Sequence, residues 1–353
     1  MSTTVQTGPP NTGQSGRSIH QRTLPQFAPA ALFLICLVLG GLLTGFGRFS
    51  TVVLGTLIYL VTIYVVSRAV ESSRRATDRV VTGLVTSAFV IALVPLVSVV
   101  YTVVSRGLPV LGAEFFTSSM RNVVGEGGGV FHAIWGTVYI TGMATVISVP
   151  IGILTAIYLV EYGRGWLPRQ IRFLVDVMTG IPSIVAGLFA YALFVLVFGP
   201  GVRIGIGGAV ALSVLMIPVV VRSTEEMLKL VANELREASY ALGVPKWRTI
   251  TKVVLPTALA GISAGVTLSI ARVIGETAPL LIIAGITDSV NFDPFSGRMA
   301  TLPVFTYYEY IQPGVSGDGE GRAFGGALVL VIIVLLLNAV ARLISYLFSP
   351  AKA

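Results

Sequence analysis

The sequence predicts an all-helical, polytopic membrane protein, and three observations carry that prediction. Of 353 residues, 54% are hydrophobic and only 11% are charged, where a soluble domain carries about 25% charged residues. The apolar residues fall into runs long enough for a spanning helix, which needs about 20. These runs are continuous and lack the alternation of a barrel strand. A chain so poor in charge cannot cover a compact body with solvated surface. A soluble globular enzyme, a disordered protein and a nucleic-acid module are therefore excluded, despite the excess of 24 Lys and Arg over 16 Asp and Glu. The one cysteine, Cys36, allows no intramolecular disulfide. His20 and His132 are far apart in sequence and read as loop or interface residues, not as ligands.

Residues 1–27 are rich in Ser, Thr, Gly, Gln and Pro and read as a disordered cytoplasmic tail. Eight apolar runs follow, near 28–47, 49–67, 80–104, 133–159, 172–198, 206–221, 257–285 and 322–347. The first two, separated only by Gly47-Arg48, form a tight hairpin or one long re-entrant helix. The first run is too long for a signal-peptide core, so no cleavage is expected. Most Lys and Arg fall in alternate connections, among them Arg68, Arg74, Arg75, Arg79, Arg164 and Arg169. Basic loops stay in the cytoplasm, which places both termini there.

The glycine cluster 125–129 reads as a flexible extracytoplasmic turn. It is not a nucleotide cradle, because a P-loop needs a Gly-Lys pair and none occurs in the chain. No G-x-S-x-G and no H-E-x-x-H is present either. The chain is expected to be catalytically silent and to hold no cofactor or metal of its own.

Loop 222–256 is the most charged stretch. Met227, Leu230, Val231, Leu235, Ala238 and Leu242 recur at helical spacing and predict one amphipathic helix. Gly243 ends it at a position free to take positive φ. Pro245 suits the first turn of a second short helix, and Trp247 an interfacial position. The product is a helix–turn–helix offered to the cytoplasm. In the run 257–285, Arg272 lies near the midpoint, where an arginine costs about 2.5–3.5 kcal/mol to insert. Glu276, one turn further along, is its expected partner. Arginine offers a planar fork for an oxyanion. Asp176 is read as an interface residue partnered by Arg172. The segment Thr179-Gly180-Ile181-Pro182-Ser183 should break its helix and leave half-helix amides that favour anions.

Three segments carry a family resemblance. Glu237-Ala238-Ser239, then Gly243, Val253 and Leu255-Pro256, resembles the EAA loop of ABC importer permeases, with Ser239 for Ala and Val253 for Ile. Residues 272–279 (RVIGETAP) and 180–185 (GIPSIV) look like signatures of phosphate-specific ABC importer permeases, closer to the A-type subunit than to its C-type paralogue. The resemblance covers about 80–347. It implies a six-span type I importer core with coupling loop 222–256, to which 28–67 adds two N-terminal spans. It further implies a paralogous permease partner and two ATP-binding subunits that hold ATP and Mg. An extracytoplasmic phosphate-binding protein and a prokaryotic plasma membrane are implied as well. Arg272, Glu276, Thr179 and Ser183 would line the substrate path, and Glu237, Ala238 and Gly243 would couple to the ATPase. The alternatives are a permease for sulfate or molybdate, the C-type phosphate subunit and, more distantly, an ion-coupled secondary transporter.

Overall fold

The computed structural model describes residues 25, 27–45, 48–314 and 317–348. Most of the expected N-terminal tail, with His20, lies outside the described residues. The chain divides into two compact units, Met1–Val99 and Val100–Ala353. The boundary falls within a helix and not in the connection between 67 and 80.

The first unit opens with a hairpin of α1 (Ala28–Thr44) and α2 (Arg48–Val70). Gly45, at φ +65°, ends α1. The two helices touch backbone to backbone: a Cβ on Gly40 would stand 2.7 Å from the Gly55 nitrogen. Close approach through small residues is how apolar helices pack without a hydrophobic drive between them. The tight hairpin is thus the form adopted. α3 (Ser73–Gly107) follows and carries Pro95 in its interior.

In the second unit, the short helix α4 (Ala113–Thr117) precedes α5 (Phe131–Ile157), which ends in a π-helical turn, Tyr158–Tyr162. α6 (Leu167–Thr179) and α7 (Ser183–Phe198) meet at a bend of 109°. α8 (Gly205–Leu230) is the central helix. It packs along α5, where Gly152 sits against Val220, and along α11, where Gly261 and Gly265 admit Met227 and Ser223. α9 (Asn233–Ala241) and α10 (Lys246–Thr249) form the charged loop. A second π-helical turn, Ile250–Val254, joins α10 to α11 (Leu255–Val273). α12 (Ala278–Ile283), α13 (Leu302–Ile311) and α14 (Asp318–Phe348) complete the chain. The main core, with Ile140, Ala144, Leu212, Met216, Val273 and Leu280, lies where α5, α8, α11 and α12 converge.

Six described helices are long and apolar enough to cross a membrane, and the bent pair α6–α7 has the length and composition of a broken span or a re-entrant loop. α1 is apolar but has 17 residues, about 26 Å of helix. No strand occurs among the described residues. Two sequence expectations are corrected. The run 257–285 is not one helix, because α11 stops at Val273 and Gly275–Thr277 is non-helical. The amphipathic helix expected from Met227 to Leu242 is split at Val231–Ala232: Met227 and Leu230 finish α8, and α9 begins at Asn233.

Candidate functional site

Two regions hold the residues that the sequence singles out. The first is the break between α6 and α7 with the segment that follows α11. Pro182 lacks an N–H, so α6 ends at Thr179 and α7 restarts at Ser183. No side chain caps the start of α7. The amides of Val185 and Ala186 turn back to the Pro182 carbonyl, while those of Ser183 and Ile184 make no backbone bond. A half-helix with free amides at its start favours an anion. Gly187, one turn in, rests on Pro279, where an added Cβ would stand 2.5 Å from the Pro279 Cα. The two signature segments, 180–185 and 272–279, therefore belong to one packed assembly of α7 and α12.

Arg272 occupies the last turn of α11 and is exposed, and Glu276 is half-buried beyond the helix end. This corrects two expectations. Arg272 sits at a helix C-terminus, where the negative end of the macrodipole favours a cation, and not at mid-helix. No ion pair joins it to Glu276 among the described residues: the helix ends at Val273, so the one-turn spacing that would align the two side chains is lost. Arg272 thus presents a free fork. Ser183 is half-buried and its hydroxyl makes no hydrogen bond to another described residue. Thr179 is exposed, and its hydroxyl donates to the Asp176 carbonyl at 2.6 Å, leaving only acceptor capacity.

The second region is the charged loop. Gly243 takes φ +74°, the left-handed turn its sequence position called for. Its N–H donates to the Tyr240 carbonyl at 2.9 Å, and Val244 N–H to Ser239 at 3.2 Å. Ser239, a departure from the EAA pattern, is buried with its hydroxyl 2.9 Å from that of Thr249, tying α9 to α10. Glu237, Ala238, Leu242 and Trp247 are exposed. A charged face with an apolar residue at its tip is thus left open at α9. Pro245 stands just before α10 and not within it, and the second short helix runs on into α11 through the π-turn.

An ionic network that the sequence did not reveal anchors this loop. Arg236 of α9 grips Glu161 of the first π-turn with two nitrogens, at 2.9 and 3.0 Å, and donates to the Leu228 carbonyl at 2.9 Å and to that of Val231. Lys246 donates to the Glu161 carbonyl and lies over the Tyr162 ring. On α8, Glu225 is 1% exposed and paired at 2.8 Å with both Arg172 and Lys229. Arg172 also donates to the Leu159 carbonyl at 3.0 Å. The extra residue of a π-turn frees carbonyls from the α-helical ladder, and Arg172 and Lys246 take two of them. Asp176 pairs with Arg222 at 2.6 Å, not with Arg172 as expected, because Glu225 engages that guanidinium. Only the i, i+4 pair Glu225–Lys229 carried a sequence signal. The other partners are far apart in the chain.

At the opposite end of the core, Arg322 is 8% exposed. It binds Glu309 at 2.7 Å and the carbonyls of Gly125 and Gly127 at 2.8 and 3.3 Å. The glycine turn is therefore pinned and not loose. His132 is not a loop residue: it lies in the first turn of α5, 3% exposed and edge-on to Phe305.

Comparison with known proteins agrees with this layout. The family described as "Binding-protein-dependent transport system inner membrane component" matches residues 148–353. "Phosphate transport system permease protein PstA 1" of Mycobacterium tuberculosis (strain CDC 1551 / Oshkosh) is 47% identical over 291 residues, 82% of this chain and 95% of that protein. The permease protein PstA of Mycobacterium leprae is 48% identical over 277 residues, 78% of this chain and 90% of that one. The PstA protein of Pasteurella multocida is 43% identical over 258 residues, 72% and 88% of the two chains. A multi-pass helical core, a broken helix packed on the 272–279 segment and a latched charged loop occur in a chain with these relatives. It therefore belongs to the binding-protein-dependent transport system inner membrane components, in the family of the PstA permease proteins.

Proposed function

We propose that this chain is the A-type membrane subunit of an ATP-driven inorganic phosphate importer. The observation that carries the reading is the packing of Gly187 on Pro279, which joins the α6–α7 break to the segment bearing Arg272. A free guanidinium and an uncapped half-helix start then belong to one assembly. Both are suited to a tetrahedral oxyanion: the fork gives two parallel charge-assisted bonds, and the amides supply fixed partial charge. The names of the relatives support phosphate as that oxyanion.

In this reading the path is shared with a paralogous permease, and a binding protein delivers phosphate to the outer loops. Two cytoplasmic ATP-binding subunits hold ATP and Mg, and the chain itself performs no chemistry. One of them docks here at α9 and Gly243, where Glu237, Ala238 and Leu242 are open, and the other on the paralogous permease. Both termini lie in the cytoplasm of a prokaryotic cell, on the side of the basic loops. Motion imposed on α9 passes through Arg236 to Glu161 at the foot of α5. It reaches α6, the arm before the break, through the Leu159 carbonyl and Arg172. Glu276, half-buried and unpaired with Arg272, opposes a bound anion and aids its release.

The test is phosphate uptake in cells lacking the chain, restored by the wild-type gene and measured with and without ATP depletion. Restored, ATP-dependent phosphate uptake is expected. Restoration of sulfate or molybdate uptake alone would reassign the substrate. Uptake that survives ATP depletion and follows an ion gradient would make the chain a secondary transporter.

A further inference from the structure

The first unit holds a crevice of about 660 Å³, flanked by the α1–α2 hairpin and the first half of α3. Its α3 wall is a single stripe. Arg75, Asp78, Arg79, Thr82, Gly83, Thr86, Ser87, Val90 and Ile91 follow at steps that alternate between three and one, the spacing of one helix face. Pro29, Ala30 and Phe33 of α1 and Val52, Thr56 and Tyr59 of α2 form the other wall. The stripe is graded in chemistry: guanidinium groups at its start, hydroxyls in the middle, aliphatic side chains at its end.

Two features of this lining call for an occupant. Arg75 is half-buried, and its guanidinium has no ion pair or hydrogen bond with a described residue. Its neighbour Arg79 is held bidentately by Glu71 at 2.8 Å, and the third charge, Asp78, is exposed. Arg75 is thus the cation left over in the lining. Tyr59 is 8% exposed and edge-on to Phe33, and its hydroxyl is unbonded, as are those of Thr82, Thr86 and Ser87. Hydroxyls without an acceptor along a membrane helix are unfavourable, and an unpaired guanidinium at the basic end of that helix attracts an anionic headgroup.

We propose that the crevice binds an anionic glycerophospholipid. Its phosphate rests on Arg75, its glycerol ester oxygens accept from the hydroxyls of Tyr59, Thr82 and Thr86, and its acyl chains lie against Phe33, Val52, Val90 and Ile91. The length fits: from Arg75 to Ile91, α3 rises about 24 Å, and one leaflet with its headgroup zone measures about 20–22 Å. The polarity gradient fits as well, since a lipid is charged at one end, ester-bearing next and apolar beyond. An apolar spanning helix from another protein brings no counter-charge for Arg75, and its backbone carbonyls are already engaged in its own ladder. The proposal does not depend on what the second unit transports.

The test uses the full-length chain reconstituted with equal amounts of phosphatidylglycerol and phosphatidylcholine, then extracted in dilute detergent. Retained lipid is counted by mass spectrometry. Wild-type chain is expected to retain phosphatidylglycerol about fivefold over phosphatidylcholine, the contribution of about one arginine. Arg75→Gln is expected to bring that ratio to the bulk value, and Ile91→Trp to lower retention of both lipids. A photo-crosslinking residue in place of Val90 should capture lipid in the assembled complex. A wild-type ratio equal to the bulk overturns the proposal without recourse to any variant. A preference that survives Arg75→Gln, or capture of a protein helix from position 90, overturns it too.

Discussion

Arg272 is exposed at the end of α11, with its guanidinium free of Glu276. Its removal should therefore leave no buried carboxylate stranded and should not unsettle the fold. Arg272→Ala is expected to lower phosphate uptake about 100-fold, the loss of about 2–3 kcal/mol of charge-assisted hydrogen bonding, with the complex assembled at its normal level. Arg272→Lys should also transport poorly, because an ammonium lacks the planar fork. Normal uptake by the alanine variant would remove Arg272 from the path. Glu276→Gln should keep transport and tighten apparent phosphate affinity, read as a lower half-saturating concentration in the uptake assay. Glu161 is a contrasting case. Its side chain is 5% exposed and that of Arg236 is 12% exposed. Glu161→Ala leaves that guanidinium with backbone carbonyls and no counter-charge, a change that costs about 3–5 kcal/mol when fully buried. Faster hydrogen exchange across 232–245 is expected, together with weaker attachment of the ATP-binding subunit. Unchanged exchange would show that the latch does not hold the loop.

At the scale of elements, two glycines make opposite predictions. Gly243 has nothing within 4 Å of its missing Cβ, so only its φ of +74° resists a side chain. Gly243→Asp should cost about 1–2 kcal/mol of backbone strain and place a carboxylate at the docking face. Membrane insertion should be normal, while pull-down of the ATP-binding subunit and phosphate uptake both fall. Full attachment with full uptake would take the loop out of the mechanism. Gly187 has an ordinary φ but no room, since its Cβ would meet Pro279. Gly187→Val should push α7 from α12 and abolish uptake with the loop intact, so subunit pull-down should be retained. The sites of these turns were legible because proline and glycine act locally: Pro182 broke its helix, and Gly243 reversed the chain where the spacing required. The Arg272–Glu276 pair was misread because an apolar run shows hydropathy and not where its helix stops, and Gly275 gave the only warning. The Arg236–Glu161 latch was invisible because its partners lie 75 residues apart. Arg172 was assigned to the nearer Asp176 when its partner was the distant Glu225.

At the scale of the molecule, the proposed reading gives the described helices a membrane path and a loop for a separate motor, and the sequence has no Gly-Lys of a phosphate-binding loop. The purified chain is expected to bind no ATP by equilibrium dialysis, and uptake in the reconstituted complex should follow the nucleotide state of the partner alone. Saturable ATP binding by the isolated chain would contradict that division of labour. The many-span architecture was legible from composition, whereas the division at Val99 was not, since α3 is apolar on both sides of it. The π-helical turn at Ile250–Val254 has a consequence for the whole chain. A helix advances about 100° per residue, and a π-turn carries one residue more than its α-helical neighbours. It therefore works as a splice that takes up one residue without turning the rod beyond it. Removing one residue from 250–254 would let the turn relax to ordinary α-geometry and leave Arg272 at nearly its present azimuth relative to α9. The same deletion within the α-helical part of α11 would swing Arg272 by about 100°, so only the π-turn has slack to lose, as a chain tightens at its one loose link.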